Sequence, residues 1–137
     1  MVSAVGAISG GHFNPAVSAA MLVTKKIDIK DFSYYVGAQL VGATVASLAL
    51  NYIYGDSNGY GLPAIADGTP IGGGLLAEII GTALLAFVIF GVAVDGRSTY
   101  KKHAGLPIGL TITAIIFSVG PITGAALNPA LQILRVV

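Results

Sequence analysis

Ser9-Gly10-Gly11-His12-Phe13-Asn14-Pro15-Ala16-Val17-Ser18 and Thr123-Gly124-Ala125-Ala126-Leu127-Asn128-Pro129-Ala130 carry the same Asn-Pro-Ala triplet, once near each end of a 137-residue chain. Each triplet sits in a short loop containing Gly and Ser or Thr, and each opens an apolar, helix-like run. A single Asn-Pro is only a turn or a helix start. A matched pair with membrane-like sequence between its members is more specific. It predicts two half-repeats that meet at one site.

Composition supports a membrane setting. Hydrophobic residues make up 55% of the chain and charged residues 9%, with 19 glycines. Mean hydropathy is strongly positive. Soluble domains carry about 25% charged residues, and glycine is commoner in membrane helices than in soluble ones. With no Cys, the chain has no disulfide framework, thiolate chemistry or Cys-based metal site. The first nine residues lack the basic segment of a signal peptide. A net charge of +1 gives no indication of a nucleic-acid partner.

Working outward from the triplets, three runs qualify as spans. Residues 32–54 are 23 residues without a charge, residues 70–94 are 25 residues with Glu78 alone, and residues 104–122 are 19 without a charge. A hydrocarbon core about 30 Å thick needs about 20 apolar residues in a helix. The runs after the triplets, Pro15 to Thr24 and Pro129 to Val137, are ten and nine residues. At a rise of about 1.5 Å per residue each covers roughly half the core, as a re-entrant helix does. Lys25, Lys26 and Lys30 precede the first span, and Arg97, Lys101 and Lys102 separate the second and third. The 55–69 linker carries Asp56 and Asp67 but no base. The positive-inside rule places the basic loops in the cytoplasm. Tyr34, Tyr35, Tyr52, Tyr54 and Tyr100 fall at span ends, where amphipathic rings sit at headgroup level. Small residues four apart (Ala38, Gly42 and Ala46; Ala77 and Gly81; Gly105 and Gly109) predict close helix packing.

Crossing parity then links the triplets. Three spans between them put the two loops on opposite sides, so the helix N-termini meet near the midplane in an inverted repeat. Pro15 and Pro129 suit the first helical position, and Asn14 and Asn128 suit the N-cap. An Asn turned to a cavity offers two N–H donors. Facing positive helix ends repel a cation, while a small neutral solute with an oxygen acceptor can bond to both Asn side chains. Irregular backbone at this depth needs protein or a water-filled cavity beside it.

Glu78, the one charge inside a span, is expected to face protein and clamp a re-entrant loop, with proton or cation coupling as the alternative. Gln39 is expected to support a loop in the same way. His12 either lines the cytoplasmic vestibule or satisfies loop carbonyls. His103 is expected to be solvated at the interface.

Taken with Tyr35-Val-Gly-Ala-Gln-Leu-Val-Gly-Ala43 and Glu78-Ile-Ile-Gly-Thr82, the two triplet segments resemble the aquaporin and aquaglyceroporin family, the major intrinsic proteins. The resemblance covers nearly all of the chain. It implies an all-α membrane fold with an aquaporin-like inverted repeat, a multi-pass cell-membrane location and a homotetramer with a pore in each subunit. It also implies passive transport of water or small neutral solutes such as glycerol, without a cofactor or a metal. Asn14 and Asn128 match the pore asparagines, Pro15, Ala16, Pro129 and Ala130 the half-helix starts, and Glu78 the loop-supporting glutamate.

Two departures qualify the resemblance. Three spans and two half-helices leave the first, second and sixth spans of the family without counterparts, so residues 1–137 are expected to form a partial, truncated channel domain. In that domain the first re-entrant segment is 9–24 and the second 123–137. The family's usual Arg after the second triplet is Leu131 here, and Ile116 and Ala125 match two further outer-constriction positions, which implies an apolar filter. Arg135 is not expected to replace the missing Arg. The competing classes are a non-conducting membrane protein that pairs with full-length subunits, and a secondary transporter coupled through Glu78. No nucleophile–base set or cofactor loop points to an enzyme.

Overall fold

The computed structural model describes residues 1–55 and 63–133, so Asp56 of the linker and Arg135 of the tail lie outside the described residues. Among the described residues all regular structure is helical. The chain divides into two compact units, Met1–His12 with Ile65–Leu127 and Phe13–Ala64 with Asn128–Val137.

The first unit opens with α1 (Val2–Ser9), an element that no sequence signal marks. It has no side-chain cap at its start and ends on Gly10 and Gly11, both left-handed at φ 72° and 70°. Ile65–Leu127 contains α4 (Ile71–Ile89), which runs on as a π-turn over Phe90–Val94. There the Asp95 N–H reaches back to the Phe90 carbonyl at 2.8 Å, and the Ser98 hydroxyl donates to the Val92 carbonyl at 2.9 Å. Helix-end carbonyls that lack intrahelical partners are satisfied in this way. A 3-10 turn over Lys101–His103 leads into α5 (Gly105–Thr123). Pro107 falls in the first turn of α5, where its missing N–H costs least. Pro121 lies in the last turn, and Gly124 ends the helix at φ 80° with its N–H on the Gly120 carbonyl.

α4 and α5 pack on one another around Leu85, Ile108, Ile115 and Val119, with Ala125 and Leu127 of the following loop completing the core. Gly81 lets them approach. A Cβ there would lie 2.7 Å from Leu127 Cδ2 and 2.8 Å from Ile115 Cγ2. Gly105 has the same role against α1, since a Cβ would overlap the Ser3 hydroxyl.

The second unit holds α2 (Pro15–Val23), α3 (Ile29–Tyr54) and α6 (Pro129–Ile133). α2 buries Val17, Ser18 and Met21. These positions recur at the three-to-four spacing of one helix face. α3 begins three residues before the uncharged run, because Asp28 caps it by accepting the Asp31 N–H at 2.8 Å. Lys30 and Asp31 lie inside its first turn, so a count of uncharged residues starts too late. The stripe of Ala38, Gly42 and Ala46 is exposed, and a Cβ at Gly42 would meet nothing within 4 Å. Among the described residues no helix packs on that stripe, and the same holds at Gly109. A small-residue stripe shortens a helix contact only where a second helix lies on it. Three helices, Ile29–Tyr54, Ile71–Val94 and Gly105–Thr123, are long and apolar enough to cross a membrane.

Candidate functional site

Both triplets build the same local structure. Asn14 has extended backbone, φ −151° and ψ 121°, and its Oδ1 accepts the Ala16 N–H at 2.8 Å. Asn128 Oδ1 accepts the Ala130 N–H at 3.1 Å. Each Asn carbonyl takes a further helix N–H, from Ser18 at 3.0 Å and from Leu131 at 3.0 Å. Pro15 and Pro129 are the first helical residues. The sequence forces this: proline breaks no bond at that position, and the preceding Asn satisfies a donor that the helix cannot. Asn14 and Ala130 are buried, at 8% and 3% exposure.

The second unit brings the two triplets together. Asn128 Nδ2 donates to the Phe13 carbonyl at 3.0 Å, one residue before Asn14. That single bond joins chain positions 115 residues apart and sets the starts of α2 and α6 side by side. It also fixes the amide orientation, since the oxygen must face the Ala130 N–H and the nitrogen the Phe13 carbonyl. α2 and α6 both pack against α3. From α3, Gln39 Nε2 donates at 3.0 Å to the hydroxyl of Ser18, which is fully buried on α2.

In the first unit Glu78 of α4 gathers the loop after α5. Its Oε1 accepts the Ala126 N–H at 3.0 Å and the Thr123 hydroxyl, and its Oε2 accepts the Leu127 N–H at 2.8 Å. Ala125 and Leu127 both adopt left-handed backbone, at φ 50° and 49°. Non-glycine residues rarely do so, and such positions persist only where the surroundings hold them. The carboxylate supplies that hold, together with the Ala125 N–H donating to Thr123 Oγ1 at 3.2 Å.

Of the other predicted positions, Ile116 is exposed on α5 and Ala125 is buried in the loop, both in the first unit. Leu131 is half-buried on α6 in the second. His12 is half-buried at the end of the Gly10-Gly11 turn, and His103 is exposed in the 3-10 turn. Sequence reasoning missed Ser18, Thr123 and the Phe13 carbonyl. Ser18 and Thr123 were legible as hydroxyls flanking the triplets, but a backbone carbonyl leaves no trace in side-chain identity. Among the described residues no group of three or more His, Asp or Glu is placed to hold a metal.

A family model described as major intrinsic protein matches residues 1–134. The chain is 42% identical over 133 residues to the probable aquaporin NIP4-2 of Arabidopsis thaliana, a match covering 95% of this chain and 45% of that relative. It is also 42% identical over 133 residues to aquaporin AqpM of Methanothermobacter thermautotrophicus, covering 94% of this chain and 54% of the relative. The X-ray structure of the aquaglyceroporin from Plasmodium falciparum superimposes with a TM-score of 0.82 at 28% identity, over 94% of this chain and 57% of that one. The chain spans about half the length of the curated relatives it matches. With its three apolar helices, it is a multi-pass membrane protein.

Proposed function

Because the chain belongs to the major intrinsic protein family, we propose that it is a passive transmembrane channel for water and small neutral solutes such as glycerol, arranged as an inverted repeat around its two Asn-Pro-Ala half-helices. The observation that carries this reading is the Asn128–Phe13 hydrogen bond. It supports a common site built from both triplets, where either alone would be a helix cap.

The chemistry suits a neutral solute. The Asn128 oxygen is committed to a helix N–H, so its amide nitrogen is the end presented to a partner. Asn128 uses one of its two N–H donors on Phe13, and the second addresses a solute oxygen. A cation gains nothing from such donors and loses its hydration. Glu78 already accepts three hydrogen bonds from the end of α5 and the loop after it, which favours a structural clamp over a proton-coupling group and therefore a channel over a transporter. In this reading Ile116, Ala125 and Leu131 take the family's outer-constriction positions with apolar side chains, and His12 takes a vestibule position. The homotetramer implied by the family resemblance belongs to the same proposal, with the exposed Ala38, Gly42 and Ala46 stripe of α3 available for contact.

Stopped-flow light scattering on vesicles carrying the inserted chain tests the proposal. Water or glycerol permeability should rise above that of protein-free vesicles while proton leak stays unchanged. No rise in either permeability, with insertion verified, rejects an autonomous channel and moves the chain to a non-conducting interaction role. Solute-dependent proton uptake would point to a transporter.

A further inference from the structure

The first unit contains a cavity that the channel reading does not use. It has a volume of about 420 Å³ and is walled by Val92, Tyr100, His103, Leu106, Pro107 and Leu110. Pockets for small organic ligands run to roughly 300–1,000 Å³, so it is large enough to hold part of an alkyl chain. Its wall combines the π-turn at the end of α4, the 3-10 turn and the first two turns of α5. These are the ends of two apolar helices, so the cavity lies at interfacial depth. Tyr100 is 63% exposed beside these helix ends, and such rings favour the headgroup level. Leu106 and Leu110, one turn apart on α5, are 67% and 62% exposed and open the cavity to the surroundings of the helix.

Charge distinguishes this cavity from an ordinary apolar groove. Lys101 and Lys102 lie between the wall residues Tyr100 and His103, and both are exposed. Arg97 is engaged elsewhere. It pairs with Asp95 at 2.7 Å, and its guanidinium and backbone N–H hold the Asp95 carboxyl well below the usual carboxylate range. Asp95 is bonded to Arg97 and also feels the charge of Lys101, while Lys101 and Lys102 make no salt bridge among the described residues. An apolar slot at interfacial depth, whose wall residues Tyr100 and His103 bracket two exposed lysines in the chain, matches one class of molecule, an amphiphile with an anionic head. Basic pockets beside transmembrane helices on the cytoplasmic side bind such headgroups.

We propose that the cavity between the π-turn of α4 and the start of α5 is a binding site for an anionic phospholipid of the bilayer, with the acyl chain against Leu106 and Leu110 and the phosphate on Lys101 and Lys102. The site depends on membrane insertion and not on conduction, so the two proposals stand or fall separately.

Native mass spectrometry of the full chain, released from detergent after exchange with phosphatidylglycerol or phosphatidylcholine, reads the retained lipid. The chain should retain phosphatidylglycerol about thirtyfold better than phosphatidylcholine, as two surface cations imply. The double variant Lys101→Gln with Lys102→Gln should lose this preference while still holding both lipids weakly. Leu110→Trp, which fills the slot, should reduce retention of both. Lys25→Gln with Lys26→Gln, at the other basic loop, should keep the preference. Equal retention of the two lipids by the unaltered chain overturns the proposal, and so does a Lys25/Lys26 variant that loses the preference equally. Should Leu110→Trp fail to fold, Leu106→Phe serves in its place. If either filling variant shifts the oligomeric state in lipid-free detergent and leaves retention unchanged, the cavity is an interface between copies and the proposal is wrong.

Discussion

Asn128 performs two tasks that a single substitution separates. Its oxygen caps α6 and its nitrogen bridges to Phe13. Asp caps a helix as well as Asn does, so Asn128→Asp keeps the first task. It replaces the donor with an oxygen facing the Phe13 carbonyl, and the second task becomes a repulsion. A lost hydrogen bond that leaves a partner unsatisfied costs about 1–3 kcal/mol. Asn128→Asp should therefore destabilise the reconstituted chain by about that amount in denaturant titration, and should lower water permeability. A variant as stable as the original would show that the bridge contributes nothing. At this scale the sequence was highly legible. Asn before Pro at a helix start admits few readings, and both caps formed as the residue types predict. The partner of the nitrogen was not legible, because Phe13 contributes its backbone.

Between elements, packing depends on where a glycine meets a neighbour. Gly81 and Gly42 both lie in small-residue stripes of apolar helices, and sequence alone treats them alike. The structure separates them: Gly81 is pressed under Leu127 and Ile115, and Gly42 has open space. Overpacking a tight contact costs about 1–3 kcal/mol, whereas a methyl added in open space overpacks nothing. Gly81→Val should push α4 from α5 and lower the unfolding free energy by about 1–3 kcal/mol. Gly42→Ala should leave packing untouched and raise it by up to about 1 kcal/mol, because Gly in a helix interior costs about that much relative to Ala. Thermal melts of both variants in the same detergent check the contrast, and equal effects would contradict it. The helix ends show a similar division. Hydrophobic runs located all three spans, but α3 starts earlier because Asp28 caps it, and α4 ends in a π-turn that periodicity does not encode.

For the molecule as a whole, the proposed outer constriction is apolar. Leu131 follows the second triplet directly, where the family resemblance implies Arg. A fixed cation in a narrow pore raises the barrier to other cations and takes space from larger solutes. Leu131→Arg should therefore lower glycerol permeability severalfold relative to water in the vesicle assay, and reduce any cation leak. Unchanged selectivity would place Leu131 away from the solute path.

What the sequence determined by itself was the class of the molecule: three apolar helices, two short Asn-capped helices and membership of one family. These follow from local rules of hydrophobic length, capping and proline placement, each confined to a few consecutive residues. Tertiary structure decided which groups meet. Glu78 finds the N–H groups of Ala126 and Leu127 nearly fifty residues away, Gln39 finds Ser18, and Asn128 finds the Phe13 carbonyl. The reason is physical. A buried polar group must find a partner, but any nearby N–H or carbonyl can serve, so side-chain identity states the need and only the fold names the partner.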